Sequence, residues 1–429
     1  MDKIYKYDGT EMNIGSSADS FKLELSSMGR ISDDIDSTFA DGSEFDLCAF
    51  RSRLVSGSNP ITIGWLYQRS PVNQEGCELW YSPNQLDKPK LLTTMTGIKP
   101  NDSFRSFVVS PKHGDVITLK MDNRNAPVVY DASSNTTTTI SGLQMSPIGW
   151  LGSSGCDFGL DGQGNEFFMF GEYTGAGHST YENVHVWKVT YPYSEPSNWN
   201  VVLTLARSTS YMGSDDTKVW HVHTVQYDPF GNVWYATTGD SDAETKWWYS
   251  TDYGATWTKL LVGTEWTSQT ARVLNFAFTK DYIWWANDYG TNHSVNRVAR
   301  AQSGIADKST HEIAAELNKS QSTYATALLT YPRGLLMLDR VDTAFASSTN
   351  KLTVQFYSFD DGKVHDLRTF TRKTNSPNNF FGFRCKVYTI RQSPYDTRIG
   401  VGWDYGAPNW IDMEGNADNA LWTAFLDIV

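Results

Sequence analysis

The chain repeats a unit of about 40–50 residues, and this repeat constrains its fold more than any other feature. The best-preserved copy covers residues 220–261, where four short runs rich in Val, Trp and Tyr alternate with turn sequences such as DPFGN and TDYGAT. Related copies lie at residues 61–95, 107–124, 157–173, 271–315, 323–370 and 380–428. Alternating apolar runs between Gly, Asp and Asn predict β-strands. The chain is therefore predicted to be all-β, a single β-propeller of four-stranded antiparallel blades, with seven blades or, if the incomplete first unit is only a cap, six.

Two segments depart from this pattern. Residues 1–20 are polar and rich in turn-forming residues, which predicts a flexible or docking arm ahead of a propeller domain at 21–429. The sequence HEIAAEL within Lys308–Leu317 predicts the one helix, with Ser309 or Thr310 as its N-cap.

Composition agrees with the repeat and excludes several functions. The 16 Trp, 22 Tyr and 21 Phe residues are expected to fill the wedges between blades. A net charge of −12 argues against a nucleic-acid partner. No apolar run reaches the roughly 20 residues that a membrane-spanning helix needs, so membrane insertion is not expected. We expect an extracellular or virion-associated protein. The first residues lack the apolar core of a Sec signal peptide, so export would have to use another route.

Residues 250–257 read S-T-D-Y-G-A-T-W, a turn sequence that suits the link between two strands. Asp252 is expected to bond the turn amides, Gly254 to supply a permissive backbone position and Trp257 to pack into the blade. This sequence resembles the Asp-box, or bacterial neuraminidase repeat, of sialidase-like propellers. The resemblance implies a turn between the third and fourth strands, on the face away from the ligand. The R-I-P motif of sialidases is absent.

The same blade carries His221-Val222-His223, then Asp228-Pro229 and then G-D-S-D at residues 239–242. Together with the Asp-box, this set resembles repeat proteins found in many bacteria and phages. Residues 5–14, YKYDGTEMNI, resemble segments of phage tail and fibre proteins. These resemblances imply a tail-associated protein whose N-terminal arm contacts other structural proteins and whose propeller contacts a glycan.

An acidic residue ends the second strand of six units. The six are Asp122, Glu172, Asp240, Asp288, Asp339 and Asp404. In a propeller these strand ends share one face with the entries to the first strands, so the acids are predicted to rim the ligand-binding face. They would bind sugar hydroxyls, act as acids and bases, or hold a divalent cation such as Ca²⁺. Alternatively, each acid caps its own turn.

Residues that enter the first strands complete the predicted site. His221 and His223 should point to one side of their strand and could bind a metal if a third ligand is present. Arg272 and Arg105 could grip a substrate carboxylate. His178 lies in a Gly-rich loop that could reach the same face. Trp403 is one of four candidates for stacking on sugar rings, although most aromatic residues are expected in the core; the other three are Trp248, Trp285 and Trp410.

These observations predict a carbohydrate-active propeller that binds and cleaves a polysaccharide. Hydrolysis would use two carboxylates drawn from Asp240, Asp242, Asp288 and Asp339, with His223 assisting. A lyase would use His221 or His223 as base and Arg272 to neutralise a uronate. The alternatives are a non-catalytic glycan- or receptor-binding module of a phage tail and a propeller that serves only as a scaffold. No cofactor is required by either chemistry, and the sequence leaves the identity of any metal open.

Overall fold

The computed structural model describes most of the centre of the chain and isolated strands towards its ends. The described residues are 23–30, 44–50, 65–70, 77–82, 90–95, 107–110, 112–118, 126–143, 145, 155–173, 183–210, 213–266, 269–288, 293–317, 323–331, 333–341, 351–371, 398–402 and 422–428. The predicted arm at 1–20 lies outside them. No helix within these residues is long and apolar enough to cross a bilayer.

Six four-stranded antiparallel sheets follow one another along the described chain, and each is called a blade below. The first strand, β1 (Leu23–Arg30), precedes blade 1 and belongs to a separate sheet described below. Blades 1 and 2 contain, in order, β2 (Glu44–Phe50), β3 (Trp65–Ser70), β4 (Cys77–Ser82) and β5 (Lys90–Met95), and then β6 (Phe107–Val109), β7 (Val116–Thr118), β8 (Val128–Asp131) and β9 (Thr136–Thr139). Blades 3 and 4 contain β10 (Cys156–Leu160), β11 (Glu166–Gly171), β12 (Asn183–Thr190) and β13 (Trp199–Ala206), and then β14 (Val222–Asp228), β15 (Val233–Thr238), β16 (Lys246–Ser250) and β17 (Thr258–Val262). Blades 5 and 6 contain β18 (Val273–Phe278), β19 (Tyr282–Asn287), β20 (Ser294–Ala299) and β21 (Glu312–Glu316), and then β22 (Thr323–Tyr331), β23 (Gly334–Val341), β24 (Lys351–Ser358) and β25 (Val364–Thr371).

A further sheet joins the two ends of the described chain. β1 pairs antiparallel with β27 (Trp422–Ile428), which also pairs with β26 (Arg398–Gly402). The first strands of blades 3 to 6 lie beside one another in order. The predicted all-β, propeller-like arrangement of four-stranded antiparallel sheets is therefore confirmed, whereas the number of blades in a closed ring stays a prediction.

Aromatic side chains fill the space between blades, as the repeat predicts. Trp247 of blade 4 and Trp285 of blade 5 meet edge to face, with ring centroids 4.9 Å apart. Both are fully buried, and Trp248 is 7% exposed. Trp248 and Trp285 are therefore core residues and cannot stack on a sugar, while Trp410 lies outside the described residues.

The predicted helix is wrong. Lys308–Thr310 forms a single 3₁₀ turn in which Asp307, rather than Ser309 or Thr310, caps the start by accepting from the Ser309 amide. The residues that follow form β21, which pairs with β20. Local preference for helix in Glu and Ala is outweighed here because β20 offers backbone partners along one side of the segment.

The Asp-box sequence forms the turn expected of it, between β16 and β17. Asp252 accepts hydrogen bonds from the Thr256 amide (2.9 Å), the Thr256 hydroxyl (2.6 Å) and the Ser250 hydroxyl (2.8 Å). Gly254 has φ +86°, and its Cα lies against Met169 of blade 3. Trp257 packs against the apolar cluster between blades 3 and 4. The turn thus holds two blades together at the end of the strands opposite to His221.

Candidate metal centre

The candidate site lies where β14 begins and β15 ends, at one end of blade 4. His221 immediately precedes β14, and His223 is its second residue. Asp240 follows β15 by two residues. The antiparallel pairing of Val222 with Thr238 brings these three side chains to the same end of the blade. We call them the His–His–Asp cluster.

A break in the regular pairing places His223. Val222 pairs with Thr238 and Thr224 pairs with Thr237, so His223 is an extra residue without a partner on β15. Such a bulge turns a side chain away from its regular direction and is common beside functional sites. Here both imidazole rings face Asp240. The structure therefore brings the two histidines to one side, as their spacing predicts.

Three ligand-type side chains converge within the cluster. The Nε2 atoms of His221 and His223 are 3.0 Å apart. His221 Nε2 lies 3.3 Å from Asp240 Oδ2, and His223 Nε2 lies 3.6 Å from Asp240 Oδ1. All three residues are buried, at 3%, 4% and 3% exposure.

Protons alone satisfy this arrangement poorly. A neutral imidazole carries one N–H, so a His223 Nε2–H that donates to His221 leaves His221 Nε2 as an acceptor facing a carboxylate. If both Nε2 atoms carry protons and face Asp240, the two N–H groups face each other. Asp240 Oδ2 is buried and has no hydrogen-bond partner among the described residues. A cation at the centre would satisfy all three converging atoms at once.

The distances also suit a metal ion. Ligands at about 2.0–2.1 Å from an ion, at angles between 90° and 110°, lie about 2.8–3.4 Å from one another. The distance between the two imidazole nitrogens falls in that range, and each imidazole lies within or close to it from one oxygen of Asp240, Oδ2 for His221 and Oδ1 for His223. Among the described residues, this is the one group of three His, Cys, Asp or Glu side chains that meets the geometric conditions for holding a metal.

The backbone around Asp240 is strained in a way that serves the cluster. Asp240 has φ +104°, in the left-handed region that residues other than glycine rarely adopt. A Cβ on the preceding Gly239 would lie 2.5 Å from His223 Cε1 and 3.1 Å from Arg272 Cγ. Glycine is therefore needed at 239 because the imidazole and the arginine side chain both pass close to its Cα.

Blade 5 supplies a second layer to the site through Arg272. Its Nη2 donates to Asp240 Oδ1 (2.8 Å), and its Nε forms an ion pair with Asp288 Oδ2 (2.9 Å). The Asp288 amide donates to the Arg272 carbonyl oxygen (3.0 Å), so the two residues are joined through their backbones as well as their side chains. The arginine predicted to grip a substrate thus has two of its nitrogens engaged by carboxylates of the protein.

These contacts set the charge of Asp240. Burial favours its neutral form, but the adjacent His221, His223 and Arg272 outweigh burial, so the pKa of Asp240 is lowered. The carboxylate is therefore ionised throughout the neutral range, which is the form that binds a metal.

Two further residues of the site were not found by sequence reasoning. The ring of Tyr173 stacks on His221, with centroids 3.8 Å apart, and is partly exposed. Gln269 accepts from Arg272 Nη1 at 3.4 Å. Tyr173 directly follows the acid that ends β11, so the position after each strand-end acid is the signal that could have found it.

The other predicted site residues have different fates. Glu172 is buried and accepts hydrogen bonds from the His185 amide and the Trp187 indole within blade 3. Asp242 is near Asp240 in sequence, and its Oδ1 is buried without a hydrogen-bond partner among the described residues, but it does not belong to the cluster. Asp339 lies inside β23, two residues before its end, rather than after it. Four of the predicted site residues lie outside the described residues, as does the rim acid Asp122: Arg105, His178, Trp403 and Asp404.

Comparisons with known proteins identify the fold and no family. No family model matches the chain. No curated protein matches it either. The assignment to the Asp-box sialidase family is therefore not supported by these comparisons, although the turn itself is present.

Solved structures resemble the chain at low sequence identity. An oligogalacturonate lyase in complex with manganese aligns with a TM-score of 0.50 and 12% identity, over 95% of this chain and 96% of that one. A prolyl endopeptidase aligns with the same TM-score and identity, over 92% of this chain, which spans 52% of that protein's length. A periplasmic gluconolactonase of Pseudomonas aeruginosa aligns at 0.46 with 13% identity, over 90% and 99%. At such identities the likeness concerns the fold alone.

Proposed function

We propose that the protein is a metal-dependent carbohydrate-active enzyme that cleaves an anionic polysaccharide at the end of blade 4 that carries the His–His–Asp cluster. The observation that carries the proposal is the buried His–His–Asp cluster, in which two imidazole nitrogens and a carboxylate converge. The full-length likeness to an oligogalacturonate lyase with bound manganese supports the same chemistry, since that protein combines this fold with a sugar acid and a metal.

The donor set suits a first-row transition metal better than Ca²⁺. Imidazole nitrogens are ligands for Mn²⁺, Fe²⁺ and Zn²⁺, whereas Ca²⁺ takes six to eight oxygen ligands. His221, His223 and Asp240 would hold the ion, which would supply positive charge to polarise a substrate carboxylate or hydroxyl. We therefore replace the Ca²⁺ expected among rim acids by a transition metal at this cluster.

Within this proposal the lyase reaction is favoured over hydrolysis. Elimination requires that the carboxylate of a uronate be neutralised and that a base remove the adjacent C–H proton, while the bond from the next ring carbon to the glycosidic oxygen breaks and that oxygen leaves with a proton. The Nε2 atoms of His221 and His223 face each other, so neither histidine is placed as a free base. Tyr173, which borders His221 and is partly exposed, is the residue that we assign to proton transfer.

A non-catalytic glycan-binding module is the second candidate. The observation that favours it is the near-complete burial of the cluster, because structural metal sites are closed whereas catalytic ones keep an open position. A metal that only stabilises blade 4 would then support a receptor-binding face, as in a phage tail module. The partly exposed side chain of Arg272, at 16%, marks the side from which a ligand would approach in either case.

Cleavage assays separate the candidates. The protein is incubated with a panel of uronate-containing and neutral polysaccharides while reducing ends and the absorbance of unsaturated uronate are followed. Both signals together indicate a lyase, and reducing ends alone indicate a hydrolase. Glycan binding with neither signal would refute the enzyme and support the binding module.

Two variants and a chelator test the site itself. His223→Ala and treatment with EDTA should each abolish cleavage, and Mn²⁺ should restore it to the chelated wild type but not to the variant. His365→Ala is the matched control, because His365, near the start of β25 in blade 6, pairs with Asp361 (3.0 Å). Full activity of His223→Ala would show that the reaction takes place elsewhere.

A further inference from the structure

Arg272 makes the two carboxylate oxygens of Asp240 unequal as metal ligands. Oδ1 accepts from Arg272 Nη2 at 2.8 Å. Oδ2 has no hydrogen-bond partner among the described residues and lies 3.3 Å from His221 Nε2. Oδ2 is therefore the oxygen available to an ion held by the histidines.

Asp288 holds the arginine in this orientation. The Nε of Arg272 lies 2.9 Å from Asp288 Oδ2, so neighbouring nitrogens of one planar guanidinium contact two different carboxylates. Rotation of the guanidinium towards Asp240 would break the pair with Asp288. Further contacts of Arg272 Nη1, with the Asp240 carbonyl oxygen and Gln269 Oε1 at 3.4 Å each, oppose the same movement. A lysine in place of Arg272 could supply charge but not this fork.

We propose that the Arg272–Asp288 pair is a metal-selectivity device: it keeps Asp240 a one-oxygen ligand and thereby disfavours Ca²⁺. Ca²⁺ sites commonly use bidentate carboxylates and many oxygens, while transition metals accept a facial set of two imidazoles and one carboxylate oxygen. Arg272 is thus a positioning residue, which acts on the metal through Asp240. The inference rests on the metal centre proposed above, but it does not depend on which reaction, if any, that centre performs.

Selectivity is measured on the full chain without any substrate. The protein is stripped with EDTA and titrated calorimetrically with Mn²⁺, Co²⁺ and Ca²⁺, and the visible spectrum of the Co²⁺ form is recorded. Wild type should bind Mn²⁺ at least about a hundredfold more tightly than Ca²⁺, given its two nitrogen ligands. Arg272→Met should reduce that ratio by about tenfold or more and change the Co²⁺ spectrum, because Oδ1 becomes free to coordinate.

Three further variants make the test decisive. Asp288→Asn, which retains the arginine, should shift the ratio in the same direction by a smaller factor, and it substitutes for Arg272→Met if that variant does not fold. Arg272→Lys should not restore the wild-type ratio. Arg333→Met is the matched control, since Arg333 pairs with Asp360 (2.7 Å) in blade 6 and should leave ratio and spectrum unchanged.

The outcomes distinguish the two proposals. A wild-type ratio and Co²⁺ spectrum in folded Arg272→Met and Asp288→Asn would overturn the selectivity device while leaving the metal centre intact. Absence of Mn²⁺ binding to wild type would overturn both the device and the metal-dependent function. Metal binding with the expected shift but no cleavage of any glycan would support the device and refute only the enzyme.

Discussion

Blades 3 and 4 each end their second strand in an acid, and the two acids have opposite surroundings. Glu172 of blade 3 is fully buried and accepts from the His185 amide (2.9 Å) and the Trp187 indole (2.8 Å), while His185 Nδ1 lies 3.0 Å from it. Asp240 of blade 4 faces two imidazole nitrogens and an arginine. Equivalent positions in a repeat thus support a structural cap in one blade and a candidate ligand in the next.

The two acids differ in whether the neighbouring groups can exchange a proton for a metal ion. A backbone amide and an indole N–H are permanent donors and hold one oxygen of Glu172 each, so the imidazole of His185 meets an acid whose two oxygens are already hydrogen-bonded. Imidazole nitrogens carry either a proton or a lone pair, so Asp240 and its neighbours can exchange protons for a metal. A strand-end acid is therefore a candidate ligand where fixed donors leave one of its oxygens unoccupied, as at Asp240 Oδ2.

The largest effect expected from this comparison is on metal binding by Asp240→Asn. Removing one of three ligands should weaken Mn²⁺ binding by more than the factor of about 10–100 typical of groups behind the ligands. Calorimetric titration of the EDTA-treated protein measures this, with circular dichroism to check folding. Unchanged affinity would show that Asp240 is a cap like Glu172.

Glu172→Gln should give the opposite result. The amide cannot accept from all three donors and places its own N–H₂ against one of them, so unfolding should cost about 2 kcal/mol less than in wild type. Urea denaturation measures the loss. Mn²⁺ affinity should stay within about twofold of wild type, since hydrogen bonds rather than ligation define this acid. A large loss of metal binding would contradict the division between the two blades.

Asp115 of blade 2 tests what happens to a buried acid with few donors. Burial raises the pKa of Asp115 to about 6, and the hydrogen bond from the Ala132 amide only partly opposes this. Between about pH 4 and 6 the folded state then binds more protons than the unfolded state, so the free energy of unfolding should fall by about 1–2 kcal/mol as the pH rises.

Asp115→Asn should remove that pH dependence. Urea denaturation at several pH values between 4 and 6 compares the variant with wild type. The same slope in both proteins would show that another group is responsible.

The smallest effect is expected at Asp252, which lies in the Asp-box turn at the opposite end of blade 4. Asp252→Ala removes hydrogen bonds within a partly exposed turn, so it should cost about 1 kcal/mol of stability. Thermal denaturation measures this, and metal affinity should not change. A change in metal affinity would show that the two ends of blade 4 are coupled.

Local sequence was sufficient to predict the strands of blade 4 and much of its site. The runs VWYATT and KWWYS coincide with β15 and β16, because a short run of β-branched and aromatic residues between turn sequences favours a strand on local grounds alone. The spacing of His221 and His223 predicted that they share a side, but the bulge that turns His223 is not visible in that spacing. The helix predicted near residue 312 failed because pairing with β20 is not encoded within the segment.

The sequence by itself determined the all-β repeat, the Asp-box turn and the candidate acids, since each depends on residues that are neighbours along the chain. Only the tertiary structure decided which acid is available to a ligand. The groups that satisfy Glu172 come from positions 13 and 15 residues later, and the arginine that holds Asp240 comes from the next blade, 32 residues later. Contacts of that separation follow from how strands and blades pack, and a pattern shared by every repeat cannot distinguish them.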